Sequence, residues 1–119
     1  MPTVVVDGEN VRRSVWPNIS KEELVDLARD WAVEYGHRVL VVFDGDAPAA
    51  PEAVGTGGES ADDWIAREAP SLLPYWLVTS DRELRQRAGA DAEQVLGGGS
   101  FARELQRRQG PTREEDRGA

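Results

Sequence analysis

The chain has 119 residues, enough for one packed domain and few for two. Its 14 Lys and Arg against 22 Asp and Glu leave a net charge of −8, which argues against nonspecific nucleic-acid binding through a basic surface. The absence of cysteine excludes disulfides and thiolate metal sites, and a single histidine, His37, leaves too little for a zinc site or a histidine-based triad. The longest apolar run, 39–43, is too short to cross a bilayer, and the start Met-Pro-Thr-Val-Val-Val-Asp lacks the basic opening and cleavage site of a signal peptide, so a cytoplasmic location is expected.

In chain order, Thr3-Val4-Val5-Val6 is a β-branched run expected to form a strand buried on both faces, ending in Asp7-Gly8. Ser20 with Glu23 has capping-box spacing and opens a helix. Leu24, Leu27, Ala28, Trp31 and Tyr35 share one face of it, and Gly36 stops it. A second buried strand, 39–43, ends in Asp44-Gly45, which makes a right-handed βαβ unit with the first. Residues 46–59 are rich in Pro, Ala and Gly and predict a loop, with a weak strand near Ala53-Val54. Ser60 caps a short helix, 61–69, stopped by Pro70. Residues 75–79 form a third strand, after which Ser80 and Glu83 repeat the capping-box spacing ahead of a helix carrying Leu84 and Ala88. Gln94-Val95-Leu96 is a last short strand, Gly97-Gly98-Gly99 a flexible connection, and Ser100 opens a final helix through Phe101 and Leu105. The alternation predicts a three-layer α/β domain over 1–108 with a mostly parallel sheet of four to five strands, followed by a disordered tail over 109–119.

Asp7, Asp44 and Asp81 each follow the apolar core of a predicted strand, and Asp62 and Asp63 occupy the first turn of a predicted helix. In an open parallel sheet ligands bind outside the carboxyl ends of the strands, so these acids converge on one edge. Two carboxylates 4 Å apart repel by about 4 kcal/mol at an effective dielectric near 20, a cost that a hard divalent cation bound by oxygen ligands offsets. Such an ion activates water and neutralises charge on a phosphodiester under attack.

Each acid also has a structural reading. Asp-Gly after a strand is a common turn, Asp63 completes a helix cap, Asp62 suits a helix start, and Asp81 is a first-turn acid. Asn10 either orients Asp7 or a metal-bound water, or caps the turn that follows, while the hydroxyls of Thr79 and Ser80 stand beside Asp81 to assist it, Ser80 having the alternative of being only a helix cap. Arg12, Arg13, Arg82, Arg85 and Arg87 follow the acid-bearing turns, where they either clamp phosphates or form solvated faces; Trp16 either stacks on a base or packs on the core.

Four segments taken together, VVVDGEN (4–10), VLVVFDG (39–45), ESADDWI (59–65) and WLVTSDRELR (76–85), followed by Phe101, resemble the NYN domain of the YacP-like type, a branch of the PIN-like nucleases. The similarity runs over about 3–105. It implies a Rossmann-like sheet, dependence on Mg²⁺ or Mn²⁺, and endonucleolytic cleavage of RNA. By matching motif, Asp7 would be the first-strand metal ligand with Asn10 beside it, Asp62 and Asp63 the helix-borne acids, Asp81 the acid after Thr79-Ser80, and Asp44 a ligand or an outer-shell orienter. The catalytic set is then Asp7, Asn10, Asp62 and Asp81. Arg12, Arg13, Trp16, Arg82 and Arg85 are the RNA contacts, and Thr79 and Ser80 the supporting residues. The expected partner is RNA, single-stranded or messenger more than duplex DNA, with docking on a ribosome as a further expectation. The stretch PAAPEAVGTGGES departs from the pattern, having little to make the strand usual there, so the sheet is expected to be narrower or mobile at that edge.

Two other functions compete. A non-catalytic adaptor that keeps the fold agrees with the charge of −8. A phospho-accepting receiver needs a lysine at the end of a late strand, and the only lysine, Lys21, stands in the first turn of a helix.

Overall fold

A computed structural model describes the backbone of residues 2–118 and the side chains of 2–108; the tail expected to be disordered, 109–119, lies outside the residues described with side chains. The elements are β1 (Thr3–Asp7), α1 (Gly8–Arg12), α2 (Lys21–Tyr35), β2 (Arg38–Phe43), β3 (Ala53–Gly55), α3 (Ala61–Glu68), a 3-10 turn (Ala69–Leu72), β4 (Tyr75–Val78), α4 (Arg82–Ala88), β5 (Gln94–Leu96) and α5 (Gly98–Gly118). All five strands are parallel, in the order β3-β2-β1-β4-β5.

Alternation along the strands divides the core into two layers. Val4 and Val6 of β1 and Val41 and Phe43 of β2 face Leu24, Ala28 and Trp31 of α2 and Phe101 and Leu105 of α5. Val5, Val42 and Leu77 face Ile65 of α3 and Leu84 and Ala88 of α4. With helices on both faces, the strands are apolar throughout, as their sequences indicate.

Capping follows the expected chemistry at two helices. Ser20 Oγ accepts from Glu23 N at 3.1 Å and Ser60 Oγ from Asp63 N at 3.1 Å. At α4 the expectation is corrected: the cap is Asp81, whose Oδ1 accepts from Leu84 N at 3.0 Å, while Ser80 Oγ accepts from Gly98 N at 2.9 Å. Both residues have cap chemistry, and the chain reaches helical geometry one residue later than the Ser80–Glu83 spacing implies.

Two further features correct the sequence reading. The sheet is not narrowed: β3 forms in the expected weak place, pairing Val41 with Ala53 and Val42 with Val54. Thr56 secures its end, its amide and hydroxyl both donating to Phe43 O. The triple glycine is not a slack connection either. Gly98 is buried, opens α5, and lies so close to α1 that a Cβ there would run into Asn10 Oδ1. Gly8 is similarly confined, since its Cβ would stand 2.7 Å from the Phe43 ring.

Candidate active site

The sheet reverses its winding between β1 and β4: β2 and β3 are laid down on one side of β1, β4 and β5 on the other. Beyond the carboxyl ends of β1 and β4 the flanking helices diverge, and such a switch point is where open α/β sheets bind their ligands. Here an open cleft of ≈ 380 Å³ is lined by Asp7, Glu9, Asn10, Arg13, Ser14, Asp44, Asp62 and Asp81.

Asp7 closes β1 and is only 5% exposed. Its Oδ2 accepts from Thr79 Oγ1 at 2.9 Å, and Thr79 Oγ1 in turn accepts from Asp81 N at 3.1 Å, so one buried hydroxyl ties together two of the acids. Burial pushes the Asp7 carboxyl up to about 6; the Thr79 hydroxyl and the backbone N–H of Asn10 restrain it, while the negative charges of Asp62 and Asp44 add to the rise. Asp62, in the first turn of α3, is raised as well, by burial first and then by Asp81 and Asp44. These mutual effects record carboxylates sharing one space.

Asn10 bridges the two halves of the sheet, its Oδ1 accepting from Ser80 N at 2.9 Å. This bond is neither of the two roles expected for Asn10: it makes the side chain a tie between α1 and the β4 end. Asp44 lines the cleft and accepts from Ala61 N at 2.6 Å, so it also holds the start of α3. Asp63 points elsewhere, pairing with Arg87 Nη1 at 2.8 Å on the α3–α4 surface.

The basic candidates divide in the same way. Arg12 is engaged by Ile19 O at 3.0 Å and by Glu9 at 2.9 Å, and Arg85 Nε donates to Thr79 O at 2.9 Å, so both hold local backbone. Arg13 lines the cleft, Arg82 is exposed and next in sequence to Asp81, and Trp16 is 88% exposed, which rules out packing on the core. Glu9 was not among the expected residues. Its spacing to Arg12 and Arg13, three and four along a helix, is the sequence signal that points to it.

The donor set is all carboxylate and amide oxygen, which suits a hard cation and no soft one. Among the described residues no three acids or histidines are drawn close enough to form a ready-made cage. A hard cation such as Mg²⁺, which keeps several waters and takes one or two carboxylates, is compatible with that spacing. Asp7, Asp62 and Asp81 are the residues that would hold it, with Asp44 at the border. Lys21, the residue a receiver domain would need in the cleft, instead donates to Asp46 O at 2.8 Å.

No family model matches the chain, and no curated protein matches it in sequence. Among solved structures it is similar to Rae1 (YacP) from Bacillus subtilis. A single-substitution variant of that protein superposes with a TM-score of 0.76 at 22% identity, covering 98% of this chain and 82% of the other. The unsubstituted protein gives 0.72 at 22% identity, covering 98% and 80%. The fold is thus of the YacP-like PIN/NYN type that the four motifs resemble.

Proposed function

We propose that this chain is a metal-dependent endoribonuclease that cleaves single-stranded RNA, working in the cytoplasm. One observation carries the reading: Asp7, Asp44, Asp62 and Asp81, brought from two strand ends, one loop and one helix start, line a single cleft at the switch point of a fold shared with Rae1 (YacP). Mg²⁺ or Mn²⁺ held by these acids would supply Lewis acidity and a lowered water pKa. The chain's own residues do the rest. Thr79 fixes the orientation of Asp7, and Asn10 keeps α1 and the β4 end in register. Asp81 presents a carboxylate whose other oxygen anchors α4. Arg13 and Arg82 meet phosphates, and the exposed Trp16 offers a face on which an unpaired base stacks. Duplex DNA offers no such unstacked base.

One observation favours a second reading, an RNA- or ribosome-docking adaptor: the net charge of −8. Incubating the protein with labelled single-stranded RNA in Mn²⁺, in Mg²⁺ and in EDTA separates the two. The nuclease cleaves in metal, stops in EDTA, and is silenced by at least about 100-fold in Asp81→Asn, because an amide is a poor ligand for a hard cation and cannot serve as a base. Asparagine caps helices as well as aspartate does, so the variant keeps α4. RNA binding without cleavage in any divalent metal would install the adaptor in its place.

A further inference from the structure

Glu9 occupies an unusual position for an acid in a carboxylate-lined cleft. Its Oε1 accepts from Arg12 Nη1 at 2.9 Å and stands 3.2 Å from Arg13 Nη2, so one oxygen is shared by two guanidinium groups. Its Oε2 is buried and has no hydrogen-bond partner. The two arginines differ in what remains to them. Arg12 Nε donates to Ile19 O at 3.0 Å and its backbone O accepts from Ile19 N at 3.1 Å, which closes the loop that carries Trp16. Arg13 has no such anchor: its side chain is 67% exposed, and it is the only arginine that lines the cleft among the described residues.

We infer that Glu9 is a positioning residue for RNA: through its shared oxygen it aims Arg13 across the cleft mouth as the phosphate contact. The inference rests on the nuclease or RNA-binding reading and adds to it which arginine reads the backbone and what holds it. An exposed arginine carries many rotamers, and losing that freedom weakens any phosphate contact it makes. A carboxylate clamp removes part of the loss in advance, at the cost of leaving one of its own oxygens unsatisfied.

The test measures binding of a labelled single-stranded RNA to the whole chain in EDTA, across a range of salt, for the wild type, Arg13→Ala, Glu9→Gln and the double variant. Arg13→Ala weakens binding at least about tenfold, as expected for a charge-assisted hydrogen bond. It also lowers the slope of log affinity against log salt by about 0.7, the value for one phosphate of a single strand that the protein no longer neutralises. Glu9→Gln weakens binding less, about three- to fivefold, since Arg13 still reaches the phosphate and only its aim suffers. The double variant binds no worse than Arg13→Ala at that phosphate, because Glu9 acts through Arg13. In Mn²⁺, Glu9→Gln raises KM and spares kcat. Full additivity of the two variants, or binding unchanged in both while the wild type binds RNA, overturns the inference and leaves the proposed function standing. A rise in the Mn²⁺ needed for Glu9→Gln turnover, with RNA affinity intact, reassigns Glu9 as a metal ligand and overturns it too. A wild type that binds no RNA removes the reading on which both depend.

Discussion

The two ends of the sheet hold cavities of similar size and opposite chemistry. Where the strands begin, a space of ≈ 320 Å³ is lined largely by apolar groups, among them Val33, Val39, Leu40 and Leu72. Beside it Trp31 packs edge-on to Phe101 at 5.0 Å, and His37 lies between Trp31 at 5.4 Å and Trp76 at 4.5 Å. Where the strands end, the ≈ 380 Å³ cleft is lined by four aspartates, a glutamate and an arginine. By shape and apolarity the first is the better cavity for a small molecule. The first holds one opposite-charge pair, Arg29 with Glu52, in which each group favours the other's charged form. Only the second gathers carboxylates that raise one another, and that is the more specific sign of chemistry. The difference also divides the work. The aromatic end supplies burial, whereas the acidic end holds charge in a place that costs stability.

The sharpest way to break that division is Trp31→Ala. Removing a ring only 6% exposed costs about 3–5 kcal/mol, enough to bring the domain near unfolding. The surviving folded fraction should still gain in melting temperature from Mn²⁺, measured by thermal denaturation. If metal stabilisation vanished with the ring, the two ends would not be separable.

Asp7→Asn is next in size and opposite in sign. A carboxyl raised from 3.8 to about 6 binds its proton more tightly folded than unfolded. The cost of holding it charged is therefore absent below about pH 4, grows between pH 4 and 6, and is complete above, on the order of 3 kcal/mol. Asparagine can still accept from Thr79. The variant should melt several degrees above the wild type at pH 7.5 without metal, match it at pH 4, and lose both Mn²⁺ stabilisation and RNA cleavage. A metal-free gain that persists at pH 4 would mean that charge is not its origin.

Gly98→Ala tests the seam between the two halves. The added methyl must displace Asn10 and release Ser80 N, and overpacking of this kind costs about 1–3 kcal/mol. Cleavage should fall more than stability, read as residual activity at a temperature where circular dichroism shows the variant folded. The smallest effect belongs to Asp63→Ala. Its pair with Arg87 is exposed on the α3–α4 surface, so stability should change by less than about 1 kcal/mol, and metal response and cleavage should hold. The contrast with its neighbour Asp62 would then be complete.

The sequence makes some of this architecture plain and hides the rest for definite reasons. The valine runs of β1 and β2 and the serine caps of α2 and α3 declare themselves, because each carries its own local signal. Three-residue β3 does not: Ala53-Val54-Gly55 has little strand propensity, and it becomes a strand through its ladder with Val41 and Val42. Helix α1 spans five residues, too few for periodicity to register. In the cleft, aspartates after apolar runs are readable one by one, and topology gathers them. Which acid turns inward is not readable: Asp62 and Asp63 are adjacent and alike, and the reach of Arg87 from α4 distinguishes them. Arg12 and Arg85 look like phosphate contacts in sequence because the carbonyl oxygens they hold, on Ile19 and Thr79, carry no side-chain signature.

The bonds that join Asp7 to Thr79 and Asn10 to Ser80 link residues 72 and 70 positions apart. Thr3 meets Arg38 on one side of β1 and Tyr75 on the other, so the β1–β2 ladder closes a loop about half as long as the β1–β4 ladder does. Longer closure is slower and entropically dearer. A polypeptide that stops short of Thr79 already contains Asp7, Asp44 and Asp62 but has neither bond and lacks Asp81. The cleft is complete only once β4 has joined β1, so a growing chain lacks the full set of acids until its second half has docked. The Ser80 amide, protected from exchange only when Asn10 receives it, is the reporter of that moment.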